Sequence, residues 1–255
     1  MTAMTSNPKL AVCSCLLKKR NRHNGENAEF RGLNQDWSEP FELVEVCPEV
    51  ELDMGVSNSA LRLIKDQERI SLINPETGED HTEAMIKYAE EKSDYLVASG
   101  ISGFVFSKDS PVFGLEKVMV YCGENQLTIT DGAGMFAKVF TTLYPQIPVI
   151  EDDDLNDSHK LGNFIARVTL YNRWLMIDKT GWTEEKIQNF HSRNRKLLEG
   201  ISKDMNSNLV DKSKHPEFIA IDYITEAQKY LADSLKSDSV SQEYNQKPEP
   251  ELANI

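Results

Sequence analysis

Gly100-Ile-Ser-Gly-Phe-Val-Phe-Ser-Lys-Asp-Ser-Pro-Val-Phe-Gly-Leu-Glu-Lys-Val-Met-Val-Tyr-Cys-Gly123 reads as strand, loop, strand. Gly103 to Ser107 is apolar and aromatic enough for a buried strand. Asp109 to Gly114 carries turn chemistry in Ser110-Pro111 and Gly114, and Val118 to Tyr121 resumes a β-branched and aromatic run. A polar loop held between two core strands can present side chains and free backbone groups from a rigid scaffold, and function concentrates in such loops.

The rest of the 255-residue chain is consistent with a packed protein, because 40% hydrophobic content supplies a sizeable core. The chain has no apolar run of the length that spans a bilayer, and Met1 to Lys9 lacks the apolar centre of an export signal, so the expected address is the cytoplasm, without membrane insertion. The four cysteines, Cys13, Cys15, Cys47 and Cys122, are too few for a disulfide framework and suit thiols or metal ligands in a reducing compartment. A net charge of -13 disfavours general binding to polyanions. Lys18 to His23 and the segment around Arg193, Arg195 and Lys196 are the two candidate basic patches, each also readable as an ordinary solvated surface.

Towards the N-terminus, Leu10 to Leu17 reads as a buried strand, which by its period of two puts Cys13 and Cys15 on one face. Phe41 to Val46 is a second strand. Pro48 cannot donate to a ladder, so Cys47 and Glu49 fall at the carboxyl end of that strand, where ligands bind in open α/β sheets. Leu61 to Ile73 has two apolar runs flanking Asp66-Gln67-Glu68, as in a hairpin, and Pro75 to Gly78 is a turn. A helix is predicted from His81 to Ala98, with His81 exposed at its start. Further on, Gly132 and Gly134 precede a helix whose apolar face is Met135, Phe136, Val139, Phe140 and Leu143. Such glycines either offer backbone N–H groups to a phosphate or base, or let a turn pack closely. Glu151 to Asp154 is read as a divalent-cation site or, more simply, as a solvated acidic linker.

Past Leu155 the period changes to that of helices. Leu161, Phe164, Ile165, Val168, Tyr171 and Leu175 mark one helix, Thr183-Glu184-Glu185 caps a second, and Ile224, Ala227, Tyr230, Leu231 and Leu235 mark another. The fold class is therefore α/β, a three-layer sheet domain over residues 1–150 followed by a small all-helical domain over 155–235. The polar stretch 237–255 is expected to be a disordered tail.

Several of these segments together resemble the thiouracil desulfurase (TudS) family. Ser107 to Leu115 resembles that family's Ser-Lys-Ser-Pro-Ser-Cys-Gly loop, Cys15-Leu16-Leu17 its Ser-x-Cys-Leu-Leu-Gly motif, and Cys47-Pro48-Glu49-Val50 through Met54-Gly55-Val56 its Cys-Pro-Glu motif. Gly132 to Ala137 is similar to its Gly-x-Gly-x-Phe-Ala, and Pro148 to Leu155 to its Pro-Val-Glu-Glu-Glu segment. The helical part, through Asn163 to Val168 and Phe190 to Leu197, resembles the module fused to such domains in tRNA 4-thiouridine desulfidases (RudS). The resemblance implies a four-iron, four-sulfur cluster held by three cysteines, with its open iron facing the sulfur of a thiolated base. Cys15 and Cys47 match two of those ligands, and Glu49 and Ser110 match the carboxylate and hydroxyl that handle protons. Gly132 and Gly134 fall in the motif expected to line the substrate.

The chain departs from the pattern at decisive places. Phe113 stands where the third cysteine belongs, and phenylalanine has no lone pair for a metal. Ser57-Asn58 replaces Pro-Arg, Lys18 replaces a glycine, and Asn194 replaces a histidine of the helical module. Two expectations follow. One is a degenerate desulfidase without cofactor that acts as a binding or accessory protein for a thiolated nucleobase or tRNA. The other is an active iron–sulfur enzyme with Cys13 or Cys122 as substitute third ligand.

Overall fold

The computed structural model describes residues 7–17, 41–52, 54, 61–67, 69–122, 126–178, 183–198 and 220–233. Strand β5 (Ile101–Phe106) is its centre, with all six residues buried. A near-continuous apolar run of this kind is what a strand covered on both faces requires. It lies in a four-stranded parallel sheet of order β2-β1-β5-β8, with β1 at Lys9–Cys13, β2 at Glu42–Val46 and β8 at Val149–Glu151.

Helices cover both faces of this sheet. On one side Phe104 and Phe106 stack at 4.0 Å and meet Phe136 and Phe140 of α4 (Met135–Leu143), which packs against α3 (Thr82–Ala98). On the other side Gly103 lies under α5 (Ser158–Asp178), so close that a Cβ there would stand 2.8 Å from Val168 Cγ2. Alternation along the strand separates the two faces. This is the three-layer α/β arrangement that the sequence predicts.

A second four-stranded sheet has the order β4-β3-β6-β7, with β3 at Arg62–Asp66, β4 at Arg69–Ile73, β6 at Val118–Cys122 and β7 at Gln126–Gly132. The β3–β4 pair is the predicted hairpin, turned through Gln67 at a φ of 52°. The two strands flanking the loop at 107–117 therefore belong to different sheets, and the loop bridges them.

Beyond the short strand β8, α5 is joined by α6 (Glu184–Arg193), α7 (Arg195–Leu198) and α8 (Ala220–Asp233). Thr183 caps α6 as predicted, its hydroxyl accepting from the Lys186 N–H at 3.3 Å. Side chains stitch α5 to α8. Arg167 Nε donates to Gln228 Oε1 at 3.1 Å, Gln228 Nε2 donates back to the Arg167 carbonyl at 3.0 Å, and Asn163 Nδ2 donates to the Leu231 carbonyl at 2.7 Å. Trp174 and Tyr223 stack at 5.6 Å beside Phe190. The stretch 237–255 and the basic run Lys18 to His23 lie outside the described residues.

Two expectations about local structure are corrected. The apolar run from Leu10 does not stay extended to Leu17. The strand ends at Cys13, and Ser14–Leu17 forms a helical turn, α1. An apolar run of that length suits either state, and burial of Leu16 against the core decides for the turn. His81 is buried rather than exposed, lying beneath the turn at 74–80 with its Nε2 3.7 Å from Glu79.

Candidate functional site

In a parallel sheet the carboxyl ends of the strands share one edge. Register places Cys13 of β1 opposite Val46 of β2, and Val12 opposite Val105 of β5. The segments that leave this edge carry the residues of interest. These are Cys13 with α1, Cys47 with α2 (Pro48–Glu51), the loop from Ser107, and Glu151 at the end of β8.

The thiols of Cys13 and Cys15 meet at 2.6 Å. The hydrogen bond to Cys15, followed by burial, holds the Cys13 thiol well above its ordinary range. Cys47 caps α2, and its thiol points to the Glu49 carboxylate at 3.5 Å. Burial raises the Cys47 thiol too, opposed by hydrogen bonds from the Ser14 hydroxyl and the Val50 N–H. Cys13 and Cys47 are therefore neutral thiols at neutral pH, and metal ligation would have to displace their protons. Among the described residues no group of three or more His, Cys, Asp or Glu side chains stands at metal-holding distances. Cys122 lies in the other sheet, at the end of β6.

Tyr88 of α3 was not legible as a site residue. Its hydroxyl is buried facing Glu51, Cys47 and Glu49, and burial, followed by the charge of the Glu51 carboxylate, drives its pKa upward, so it remains a neutral phenol. The register of α3 contains the signal, since Tyr88 lies one turn before Lys92, and Lys92 Nζ grips both oxygens of Glu51 at 2.9 and 2.7 Å. That ion pair ties α2 to α3.

The bridging loop is fastened from within and from below. Ser110 Oγ accepts the N–H groups of Val112 and Phe113 at 3.2 and 3.0 Å, which leaves its own hydrogen free to donate outward. Phe113 turns inward. It is 1% exposed and sits among Phe104, Phe106 and Phe136 at centroid distances of 6.2, 6.0 and 5.2 Å. The N–H groups at the start of α4 are taken by this loop, with Gly134 donating to the Gly114 carbonyl at 2.7 Å, Met135 to Pro111 at 3.0 Å and Ala137 to Val112 at 3.2 Å. Of the two roles open to the glycine pair, Gly134 performs close packing, because a Cβ there would come within 2.5 Å of the Val112 carbonyl carbon and 2.6 Å of Phe113 N. Gly134→Ala presses on backbone that cannot rotate away and is expected to cost about 3 kcal/mol, read as a lower urea midpoint.

The acidic run is a clamp, which neither the cation reading nor the linker reading anticipated. Glu151 Oε1 accepts the Leu115 N–H at 2.7 Å, Asp152 Oδ1 accepts the Lys108 N–H at 2.8 Å, Asp153 pairs with Lys108 Nζ at 2.6 Å, and Asp154 pairs with Lys160 Nζ at 2.5 Å. Burial raises the Glu151 carboxyl above its ordinary value of 4.5, against the pull of the Leu115 and Glu116 N–H groups. An acid raised in the folded state binds more protons folded than unfolded between its two pKa values, so its contribution to stability falls as pH rises through that window. Glu151→Gln keeps an acceptor for Leu115. It is expected to flatten the decline in stability from the carboxylate range towards neutral pH, as followed by urea unfolding at a series of pH values.

Comparison with known proteins bears directly on this edge. The family model of 2-thiouracil desulfurase matches residues 10–152. The chain belongs to that family. The match spans both sheets and every segment at the carboxyl edge, and the family's Cys-Pro-Glu and Ser-Pro motifs fall on α2 and the bridging loop. No curated protein matches the chain significantly. Among solved structures, a [4Fe-4S]-dependent thiouracil desulfidase, TudS, is similar at 21% identity and a TM-score of 0.43, over 59% of this chain and 95% of that one.

Within the family frame, Cys15, Cys47, Glu49 and Ser110 all lie on segments leaving the same sheet edge. In the helical part, His191 is buried with its Nδ1 2.7 Å from the Tyr223 hydroxyl, and Asn194 Oδ1 accepts from Arg173 Nη1 at 2.8 Å, so both serve the helix interior. Arg193, Arg195 and Lys196 are exposed. No helix among the described residues is long and apolar enough to cross a membrane.

Proposed function

We propose that this protein is a degenerate desulfidase that has given up the four-iron, four-sulfur cluster and serves as a binding or accessory protein for a thiolated uracil, free or within tRNA. The observation that carries this reading is the burial of Phe113 in an aromatic cluster, at the position where the motif resemblance implies the third cysteine. Cys15 and Cys47 leave such a cluster one protein ligand short. Cys13 is the nearest substitute, but each cysteine of a four-iron, four-sulfur cluster binds its own iron, and a sulfur 2.6 Å from that of Cys15 is too close to serve a second iron as it stands. The residues present therefore do not fit the cluster.

What remains suits recognition of a polar heterocycle. Glu49 can accept from a ring N–H, and the Ser110 hydroxyl can donate to a carbonyl or thiocarbonyl. Exposed Arg193, Arg195 and Lys196 supply local positive charge for a tRNA backbone against the net acidity of the chain.

The second reading, an active desulfidase with Cys13 as third ligand, draws on the placement of Cys13 beside Cys15. Anaerobic calorimetry with 4-thiouracil, 2-thiouracil and uracil, followed by chromatography of the same samples, separates the two. Preferential binding of a thiolated base without conversion to uracil is expected. Release of sulfide over repeated turnovers would favour the enzyme, and failure to discriminate thiolated from plain uracil would remove the binding role.

A further inference from the structure

Cys13 and Cys15 are two residues apart, and in an extended strand such residues are about 6.6 Å apart at Cα, at the far limit of what a disulfide spans. The chain is not extended there. β1 ends at Cys13 and α1 begins at Ser14, which draws the two side chains together until their sulfurs meet at 2.6 Å. Cys13 is 3% exposed, whereas Cys15 is only partly buried. Cys15 is thus the more accessible residue of the pair, and Cys13 is the buried one.

We propose that Cys13 and Cys15 form a redox-active dithiol that exchanges with low-molecular-weight disulfides. The Cys15 thiol loses its proton to water, and its sulfur attacks one sulfur of the small disulfide. The S–S bond of that molecule breaks, and the departing thiolate takes up a proton. Cys13 then attacks the Cys15 sulfur of the mixed disulfide, gives up its own proton to the second departing thiolate, and closes the Cys13–Cys15 bond. The two protein thiols are oxidised, and the small disulfide is reduced to two thiols, so atoms and electrons balance. The reaction is independent of whether a base binds at the sheet edge. Oxidation occupies Cys15, and the Cys47 thiol, turned towards Glu49 at 3.5 Å, takes no part.

The full-length protein is equilibrated in glutathione buffers of graded ratio, quenched with acid, alkylated and digested with trypsin. Cleavage after Lys9 and Lys18 places both cysteines in one peptide, Leu10 to Lys18. In oxidising buffers that peptide is expected unalkylated and lighter by two hydrogens, while the Cys47 peptide stays alkylated. Cys13→Ser is expected to trap a lasting glutathione adduct on Cys15, and Cys15→Ser is expected to lower adduct formation on the first peptide at least tenfold. The proposal is overturned if the wild-type peptide remains doubly alkylated at every ratio, if the disulfide joins Cys47 instead, or if Cys15→Ser acquires an adduct at Cys13 as readily as Cys13→Ser does at Cys15.

Discussion

Replacing Phe113 by alanine is expected to cost about 4 kcal/mol of stability, in the range for a large aromatic removed from a packed core. The ring is 1% exposed and touches three other phenylalanines that bridge β5 and α4. Its loss empties the joint between sheet and helix, and the three N–H donations from α4 to loop carbonyls lose the packing that aligns them. Urea unfolding measures the cost. Phe113→Leu keeps most of the volume and is expected to lose under about 1.5 kcal/mol. A Phe113→Ala variant nearly as stable as the wild type would show that the ring lines an open site, and the aromatic core proposed in place of the third ligand would then be wrong.

Tyr223→Ala is expected to be comparably damaging, about 4 kcal/mol, through a different joint. Tyr223 is fully buried, stacks on Trp174 of α5, meets the edge of Phe190 of α6, and hydrogen-bonds His191. It therefore connects three helices at once. Tyr223→Phe keeps the ring and removes only the hydroxyl, for about 1 kcal/mol. The contrast between the two variants, read from thermal unfolding, separates packing from hydrogen bonding. Equal losses would show that the His191 contact and not the stack holds α8.

What the sequence made legible follows from how local each signal is. Ile101 to Phe106 is apolar on both faces, so its place as a central strand is plain, and the hairpin at 62–73 and the Thr183 cap depend only on residues a few positions apart. The break at Cys13 is not local. A run such as Leu10 to Leu17 fits strand and helix alike until the packing of Leu16 decides. The assignment of β5 and β6 to separate sheets depends on pairings with β1 and β3, which lie far away in the chain. The acidic run at 151–154 shows the same limit most sharply. Four acids in a row look solvated, and only the loop some forty positions earlier supplies the N–H groups and the lysine that give three of them partners.

For the candidate site, the motifs were legible and the chemistry was less so. Cys15, Cys47, Glu49 and Ser110 were found by motif, and all leave the same sheet edge. For Gly134 the sequence leaves two roles open, and its close approach to Val112 and Phe113 fills one of them. Tyr88 carried no motif, because its importance comes from α3 packing beside α2, a contact fixed through Lys92 and Glu51.

The central claim is that this chain keeps the desulfurase scaffold without the donor set of its cluster. The most direct measurement is anaerobic reconstitution of the full-length protein with iron and sulfide, beside a family member that has all three cysteines, followed by desalting, metal and sulfide analysis and the visible spectrum. The protein is predicted to emerge without stoichiometric iron or sulfide and without the broad charge-transfer band that the three-cysteine protein displays. Four irons and four sulfides retained per chain, with that band present, would contradict it.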